Sequence, residues 1–129
     1  MKEDLLKHGS FSWFELMTND VEGANKFYTS LFGWGTKDMS MGEAGTYTIF
    51  DVNGEDTAGM MAIPAEAAGM PPAWSVYITV DDVDATAAKA EELGGKIVRP
   101  PTDIPEVGRF CVMTDPQGAY ICAISYVKG

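Results

Sequence analysis

The chain carries one motif twice, and this constrains its fold more than any other feature. Trp13-Phe14-Glu15-Leu16-Met17-Thr18-Asn19-Asp20-Val21 is echoed by Ser75-Val76-Tyr77-Ile78-Thr79-Val80-Asp81-Asp82-Val83, an offset of 62 (Asp82 minus Asp20). Leu31 and Leu93 stand 62 apart, as do Gly33 and Gly95, so the offset holds through strand, helix start and helix stop. Near the end of each copy, Ala62-Ile63 matches Ala123-Ile124 at offset 61, which leaves room for an insertion of a residue or two. Agreement at so many structurally meaningful positions points to a duplicated supersecondary unit.

Each copy opens with a strand-like run and an Asx helix start. The first helix is predicted from Asp20 or Val21 to Phe32, with Val21, Ala24, Phe27, Tyr28 and Leu31 at helical spacing and Gly33 as a left-handed stop. The second is predicted over 83–93, on a narrow stripe of Val83, Ala87, Ala90 and Leu93, ended by Gly94-Gly95. After each helix the period falls to two. Strands are predicted near 35–39, 46–52 and 57–63, with Asn53-Gly54 as a hairpin turn, and near 96–99, 109–114 and 119–127. The last pair is joined by Asp115-Pro116-Gln117-Gly118, which carries the residue preferences of a type I turn.

Each half therefore reads as strand, helix and three strands. A half of this size buries only one sheet face well, so the two are expected to form one cooperative domain over 1–129, with modules at 10–63 and 73–127. The Pro/Gly/Ala-rich stretch 64–72 is read as the linker, and 100–105 as a loop beside the second sheet. A ferredoxin-like fold is the competing architecture, but it offers two strands per helical unit where this chain offers four.

A net charge of -10, from 19 acidic against 9 basic residues, disfavours a polyanionic partner such as nucleic acid. The same acidity also serves plain solubility. No segment is apolar enough for a membrane span, and the Leu5-Leu6 pair is too short for a secretory core, so a cytoplasmic location is expected. With two cysteines and no export signal, reduced thiols are expected. A hairpin folded tightly about Pro116-Gln117 would set Cys111 opposite Cys122 on one sheet face. No histidine lies in either strand to activate a thiolate, and two small buried apolar groups are the favoured interpretation.

The run Asn19-Asp20-Val21 to Phe27-Tyr28-x-x-Leu31-Phe32-Gly33-Trp34, with Asp115-Pro116-Gln117-Gly118 before the last strand, resembles the vicinal oxygen chelate superfamily of glyoxalases, bleomycin-resistance proteins and extradiol dioxygenases. The resemblance extends from Ser10 to Tyr126. It implies an α+β fold of two βαβββ modules forming a curved, cup-like mixed sheet with helices on the outer face, and a homodimer. Metal-dependent members present ligands, usually His and Glu, from the first and last strands of both modules. Those positions fall here on Trp13, Met61, Ser75 and Cys122. None is an imidazole or carboxylate, so the resemblance implies a metal-free branch without a cofactor. The only histidine, His8, precedes the first strand and is read as a solvated tail residue.

Alternation places Trp13, Glu15 and Met17 on one face of the first strand, with Phe14 and Leu16 under the helix. Ser75, Tyr77 and Thr79 are the counterparts on the second, and Met61 is the inward member of Met60-Met61. The ligand-binding candidates are Trp13, Glu15, Met61, Ser75, Tyr77, Arg109 and Cys122. Trp34 and Trp74 are further stacking candidates, though core or rim packing is the favoured reading for each, and Trp34, directly after the helix-stop glycine, is read as structural or at a subunit contact. Glu15 is the one catalytic candidate, because a carboxylate among apolar neighbours is a cation partner or general base, unless Arg109 or a backbone group holds it structurally.

Three functional classes follow: a metal-independent protein that binds, and as one form of that role sequesters, an aromatic or cationic small molecule; a metal-free lyase or isomerase with Glu15 as base; and an accessory or regulatory module.

Overall fold

A computed structural model describes residues 2–40, 45–105 and 107–127. It divides into two compact units, Trp13–Trp74 and a second of Ser75–Gly129 with Met1–Ser12. The class is α+β, and each unit is built on a βαβββ module.

In the first unit β1 (Phe11–Thr18) leads into α1 (Val21–Phe32), followed by β2 (Gly35–Ser40), β3 (Thr46–Val52) and β4 (Glu55–Ala62). β1 pairs with β4 in parallel, while β3 pairs antiparallel with both β4 and β2. The Asp20 carboxylate caps α1 by accepting the Gly23 N–H at 2.9 Å, and Gly33 stops it at φ 74°. Asn53 and Gly54, both at positive φ, make the two-residue turn between β3 and β4.

The core of this unit lies between α1 and its sheet. Leu16, Phe50, Ala58 and Met60 are buried there, with Val21, Ala24, Tyr28 and Trp34 packed on them. Two members of the expected helical stripe depart from it. Phe27 and Leu31 stay 59% and 57% exposed. Tyr28 instead carries the contact, stacked with Trp34 at 5.9 Å and edge-on to Phe50 at 6.3 Å and Trp74 at 5.4 Å. The Trp74 indole also donates to the Tyr28 hydroxyl at 3.1 Å.

The second unit runs β5 (Ala73–Thr79), α2 (Val83–Glu92), β6 (Lys96–Ile104), β7 (Gly108–Thr114) and β8 (Tyr120–Tyr126), with the first two residues of β5 falling in the other unit. β5 and β8 are parallel, and β7 lies antiparallel between β8 and β6. Asp82 caps α2 through the Ala85 N–H at 3.1 Å, and Val80, Val83, Ala87, Cys111 and Ala123 form the core beneath it. Leu93, the last residue of the expected stripe, is 69% exposed.

Two expectations for this unit are corrected. The segment read as a loop over 100–105 continues β6 to Ile104, with register shifts on both sides of Arg99. Prolines are tolerated there because β6 is the terminal strand and the ladder skips from Arg99↔Val112 to Thr102↔Phe110. The last hairpin closes one residue later than assumed, since Asp115 N–H donates to Ala119 O at 2.8 Å while its carboxylate accepts the Gln117 and Ala119 N–H groups. Cys111 therefore pairs with Ala123, and Cys122 with Val112. A one-residue change of register reverses the face of a side chain, so the two thiols point to opposite sides of the sheet and do not face each other.

The residues before β1 strap the end of β5, with Gly9 N–H donating to Thr79 O at 2.7 Å and Thr79 N–H to Ser10 O at 2.8 Å. Among the described residues no helix is long and apolar enough to cross a membrane.

Candidate functional site

In the first unit the sheet face turned away from α1 carries Trp13, Glu15 and Met17 on β1, and Gly59 and Met61 on β4. Leu16 and Met60 alternate with them into the core, as expected. The register sets Glu15 beside Gly59 on one side, and Gly59 beside Ile49 on the other. Tyr47, two residues before Ile49 on β3, shares this face and reaches across β4 toward β1.

Gly59 makes that reach possible. A Cβ at this position would lie 1.9 Å from the Tyr47 hydroxyl oxygen and 2.1 Å from its Cζ. Only glycine leaves room for the ring to lie across the middle strand. Tyr47 Oη accepts the Trp13 Nε1–H at 2.9 Å and donates to Glu15 Oε2 at 2.9 Å. The order is fixed by chemistry, because an indole nitrogen only donates and an ionised carboxylate only accepts. Glu15 is 8% exposed, and a carboxylate so buried needs such a partner.

The open face of the second unit's sheet carries Tyr77 and Cys122, paired in parallel and both buried, with Ser75 half-buried two residues earlier on β5. Tyr77 lies 6.4 Å from the Phe110 ring, and the Arg99 guanidinium carbon is 5.5 Å above that ring. Arg109 does not share this face. It points to the α2 side, donating through Nε and Nη2 to the Asp84 carboxylate at 2.9 and 3.0 Å and through Nη1 to Asp103 at 3.0 Å. The Arg109 hydrogen bonds hold Asp84 below the usual carboxylate range, and the two carboxylates raise Arg109. Arg109 is thus a strap between β7, β6 and α2, while Glu15 accepts from Tyr47.

Sequence reasoning missed Tyr47, Phe110 and Arg99. An isolated glycine within a strand pattern is the signal that would have exposed the first. Arg99 had no such signal, since its position depends on β6 continuing past Pro100-Pro101.

Trp34 and Trp74 belong to the aromatic core on the α1 side, not to the face holding Trp13. With Phe14, Val52, Thr57 and Ala58 they line an apolar recess of about 410 Å³.

The four positions at which related folds hold a metal do not suit one here. The Trp13 indole has no lone pair to give and already donates to Tyr47, Met61 and Cys122 are soft sulfur groups, and Ser75 is a neutral hydroxyl. Among the described residues no three His, Cys, Asp or Glu side chains come together to hold an ion. His8 sits apart from these positions in the sequence, exposed, its Nδ1 accepting the Asp81 N–H at 3.1 Å.

Cys111 is fully buried, and burial is the main cause that raises its thiol above the ordinary range. In a Cys122→Ala chain, Cys111 should react with a thiol reagent at pH 8 at least about 10³-fold more slowly than in denaturant, since reaction requires opening of the core. Labelling at the denatured rate would show that β7 does not bury it.

Comparison with known proteins bears on the family. The profile of the Glyoxalase/Bleomycin resistance protein/Dioxygenase superfamily matches residues 10–123. CFP32 of Mycobacterium tuberculosis, which carries a glyoxylase name, is 43% identical over 122 residues, covering 93% of this chain and 47% of its own length. The anthracycline biosynthesis protein DnrV of Streptomyces peucetius is 35% identical over 123 residues, covering 86% of this chain and 45% of its own. The chain thus spans about half the length of these relatives. Among solved structures, methylmalonyl-CoA epimerase from Mycobacterium tuberculosis aligns with a TM-score of 0.68 at 15% identity, covering 99% of this chain and 93% of that one. The Mn(II)-bound glyoxalase from Novosphingobium aromaticivorans aligns with a TM-score of 0.63 at 16% identity, over 95% of this chain and 41% of that one. At such identities the structural likeness shows the fold alone. The profile match and the 43% identity over most of the chain carry the assignment further, and the chain belongs to the Glyoxalase/Bleomycin resistance protein/Dioxygenase superfamily.

Proposed function

We propose that the chain is a metal-independent small-molecule binding protein of the glyoxalase and bleomycin-resistance type, whose ligand is an aromatic or cationic compound. The observation that carries this reading is the Trp13–Tyr47–Glu15 cluster: an indole and a phenol hydrogen-bonded in series to a buried carboxylate on the open face of the first sheet. Such a cluster offers aromatic surface for a planar body and an acceptor for a cation or N–H group. The soft, neutral groups at the remaining positions support the absence of a catalytic metal. One relative's name places it in anthracycline biosynthesis, which agrees with a small-molecule role. A homodimer in the cytoplasm belongs to the same proposal, and sedimentation of the purified chain tests the assembly.

The test is a thermal-shift screen against planar aromatic compounds, neutral and charged. At 100 times its Kd a ligand should stabilise the chain by about 2.7 kcal/mol. Trp13→Ala should abolish the shift, chelator should leave it unchanged, and elemental analysis should find no stoichiometric metal. If a product appears and Glu15→Gln stops its formation while binding survives, the chain is a metal-free enzyme with Glu15 as base. A shift that needs a divalent ion, or that persists in Trp13→Ala, overturns the proposal.

A further inference from the structure

We infer that the α1 side of the Trp13–Trp74 unit is the face through which two copies of this chain associate, with Phe27, Leu31 and Phe32 at its centre. This rests on the homodimer proposed above and names the surface that makes it.

The duplicated motif supplies an internal reference. Phe27, Leu31 and Phe32 are 57–59% exposed on α1, and Phe14 and Trp74 are 37–40% exposed beside it. At offset 62 the second copy has Lys89 for Phe27, Gly94 for Phe32 and Val76 for Phe14. That copy covers its sheet through Val83 and Ala87 of α2, with no exposed ring on the helix. In the first copy Tyr28 already makes the helix contact with Phe50 and Trp74, so Phe27 and Phe32 exceed what covering the sheet requires. The exposed rings are also continuous. Phe27 lies 5.1 Å from Tyr28, Phe32 lies 5.0 Å from Trp34, and Trp34 lies 6.5 Å from Trp74. Phe14 joins the two indoles in lining the apolar recess of about 410 Å³.

Area and charge point to a second copy as the occupant. Taking about 200 Å² for an aromatic side chain, the four exposed rings offer roughly 400 Å² of apolar surface, to which Leu31 adds. A stable homodimer buries about 800 Å² on each partner, about 65% of it apolar, so this face supplies most of the apolar core that one side needs. Contiguous apolar patches of this size mark interaction sites. The face also lacks the chain's excess charge. Residues 21–36 hold one acid, Glu22, and one base, Lys26, in a chain of net charge -10, whereas α2 holds Asp84, Glu91 and Glu92 against Lys89. Two like-charged copies can therefore meet here with little repulsion. A neutral apolar surface selects its partner by shape and apolarity. The same face on a second copy matches it in both, and a two-fold axis lets each copy bury the other's rings.

Sedimentation of the purified chain across a concentration series tests the inference. The wild-type chain is expected to be a dimer whose melting temperature rises with concentration. Phe27→Lys combined with Leu31→Lys, both at exposed positions, should weaken dimerisation at least about 100-fold, the loss expected when central apolar anchors are removed, and leave a folded monomer whose melting is independent of concentration. Leu93→Lys, at the counterpart of Leu31 on the second helix, should leave the dimer intact. Either Phe27→Cys or Leu31→Cys should form an intermolecular disulfide under mild oxidation faster than Leu93→Cys does, and this crosslinking decides the matter should the double lysine variant fail to fold. Unchanged dimerisation in the double lysine variant, an equal loss in Leu93→Lys, or equal crosslinking at all three positions overturns the inference, while the homodimer survives. A wild-type chain that is monomeric at every concentration, its α1 face left to another protein or a ligand, overturns both. The effect of Trp13→Ala on ligand binding is read separately and stands or falls apart from either.

Discussion

Phe50→Ala is expected to cost about 3–5 kcal/mol of folding stability, the range for removing a fully buried aromatic side chain. Phe50 is 0% exposed, and its ring lies 5.2 Å from Trp34, 6.3 Å from Tyr28 and 6.3 Å from Trp74. These partners cannot close the void. Tyr28 is held by the Trp74 indole, and Met60, also 0% exposed, is already packed within the same cluster. The lost transfer energy and an unfilled cavity therefore add. Trp74→Ala should cost less, because Trp74 is 40% exposed and solvent fills part of the space it leaves. Urea denaturation provides the measurement, with a lower midpoint for Phe50→Ala and an unchanged slope. A loss below about 1 kcal/mol would mean that the three rings do not pack on Phe50. Since small domains are stable by only about 5–15 kcal/mol, this substitution brings the chain close to unfolding.

How much was legible in the sequence depended on whether a feature was encoded locally. Asp20 and Asp82, each three residues before the N–H it accepts, marked both helix starts, and Asn53-Gly54 marked a hairpin through the positive φ angles it adopts. Strand alternation sorted Trp13 and Glu15 from Phe14 and Leu16 because one face of the sheet is buried under a helix. Features that depend on register or on a third strand were not legible. The closure of the last hairpin at Ala119 moved Cys111 to the helix side by a single residue. The β6 bulges carried a strand through two prolines that read as a loop. Arg109 pairs with carboxylates of its own unit, Asp84 on α2 and Asp103 on β6. The candidate site was half visible for the same reason. Trp13 and Glu15 lie two apart on one strand, whereas Tyr47 joins them only through pairings of β3 with β4 and of β4 with β1.

Gly108→Ala should cost about 3 kcal/mol, the upper end of overpacking costs, even though it adds a single methyl group. A Cβ at Gly108 would lie 2.1 Å from the carbonyl oxygen of Ser125 and 2.9 Å from Cα of Tyr126, so the obstacle is the backbone of the neighbouring strand. That strand is tied in place. The Ser125 hydroxyl donates to Val80 O at 2.7 Å, and the Tyr126 hydroxyl lies 2.8 Å from that of Ser12. Relief requires β7 and β8 to separate at the Gly108↔Tyr126 pair, where the sheet ladder ends. Gly59→Ala makes an even shorter contact, 1.9 Å, but with the end of the Tyr47 side chain, which can rotate away at the cost of its two hydrogen bonds. The nature of the obstructing atom, more than the distance, decides the larger effect. The Gly59→Ala loss should therefore disappear in a Tyr47→Ala background, while removing either neighbouring side chain, by Ser125→Ala or Tyr126→Ala, should leave the Gly108→Ala loss intact. Denaturation midpoints for the single and double variants decide it. Recovery of Gly108→Ala stability in Ser125→Ala would show that side-chain ties, and not the β8 backbone, set the cost.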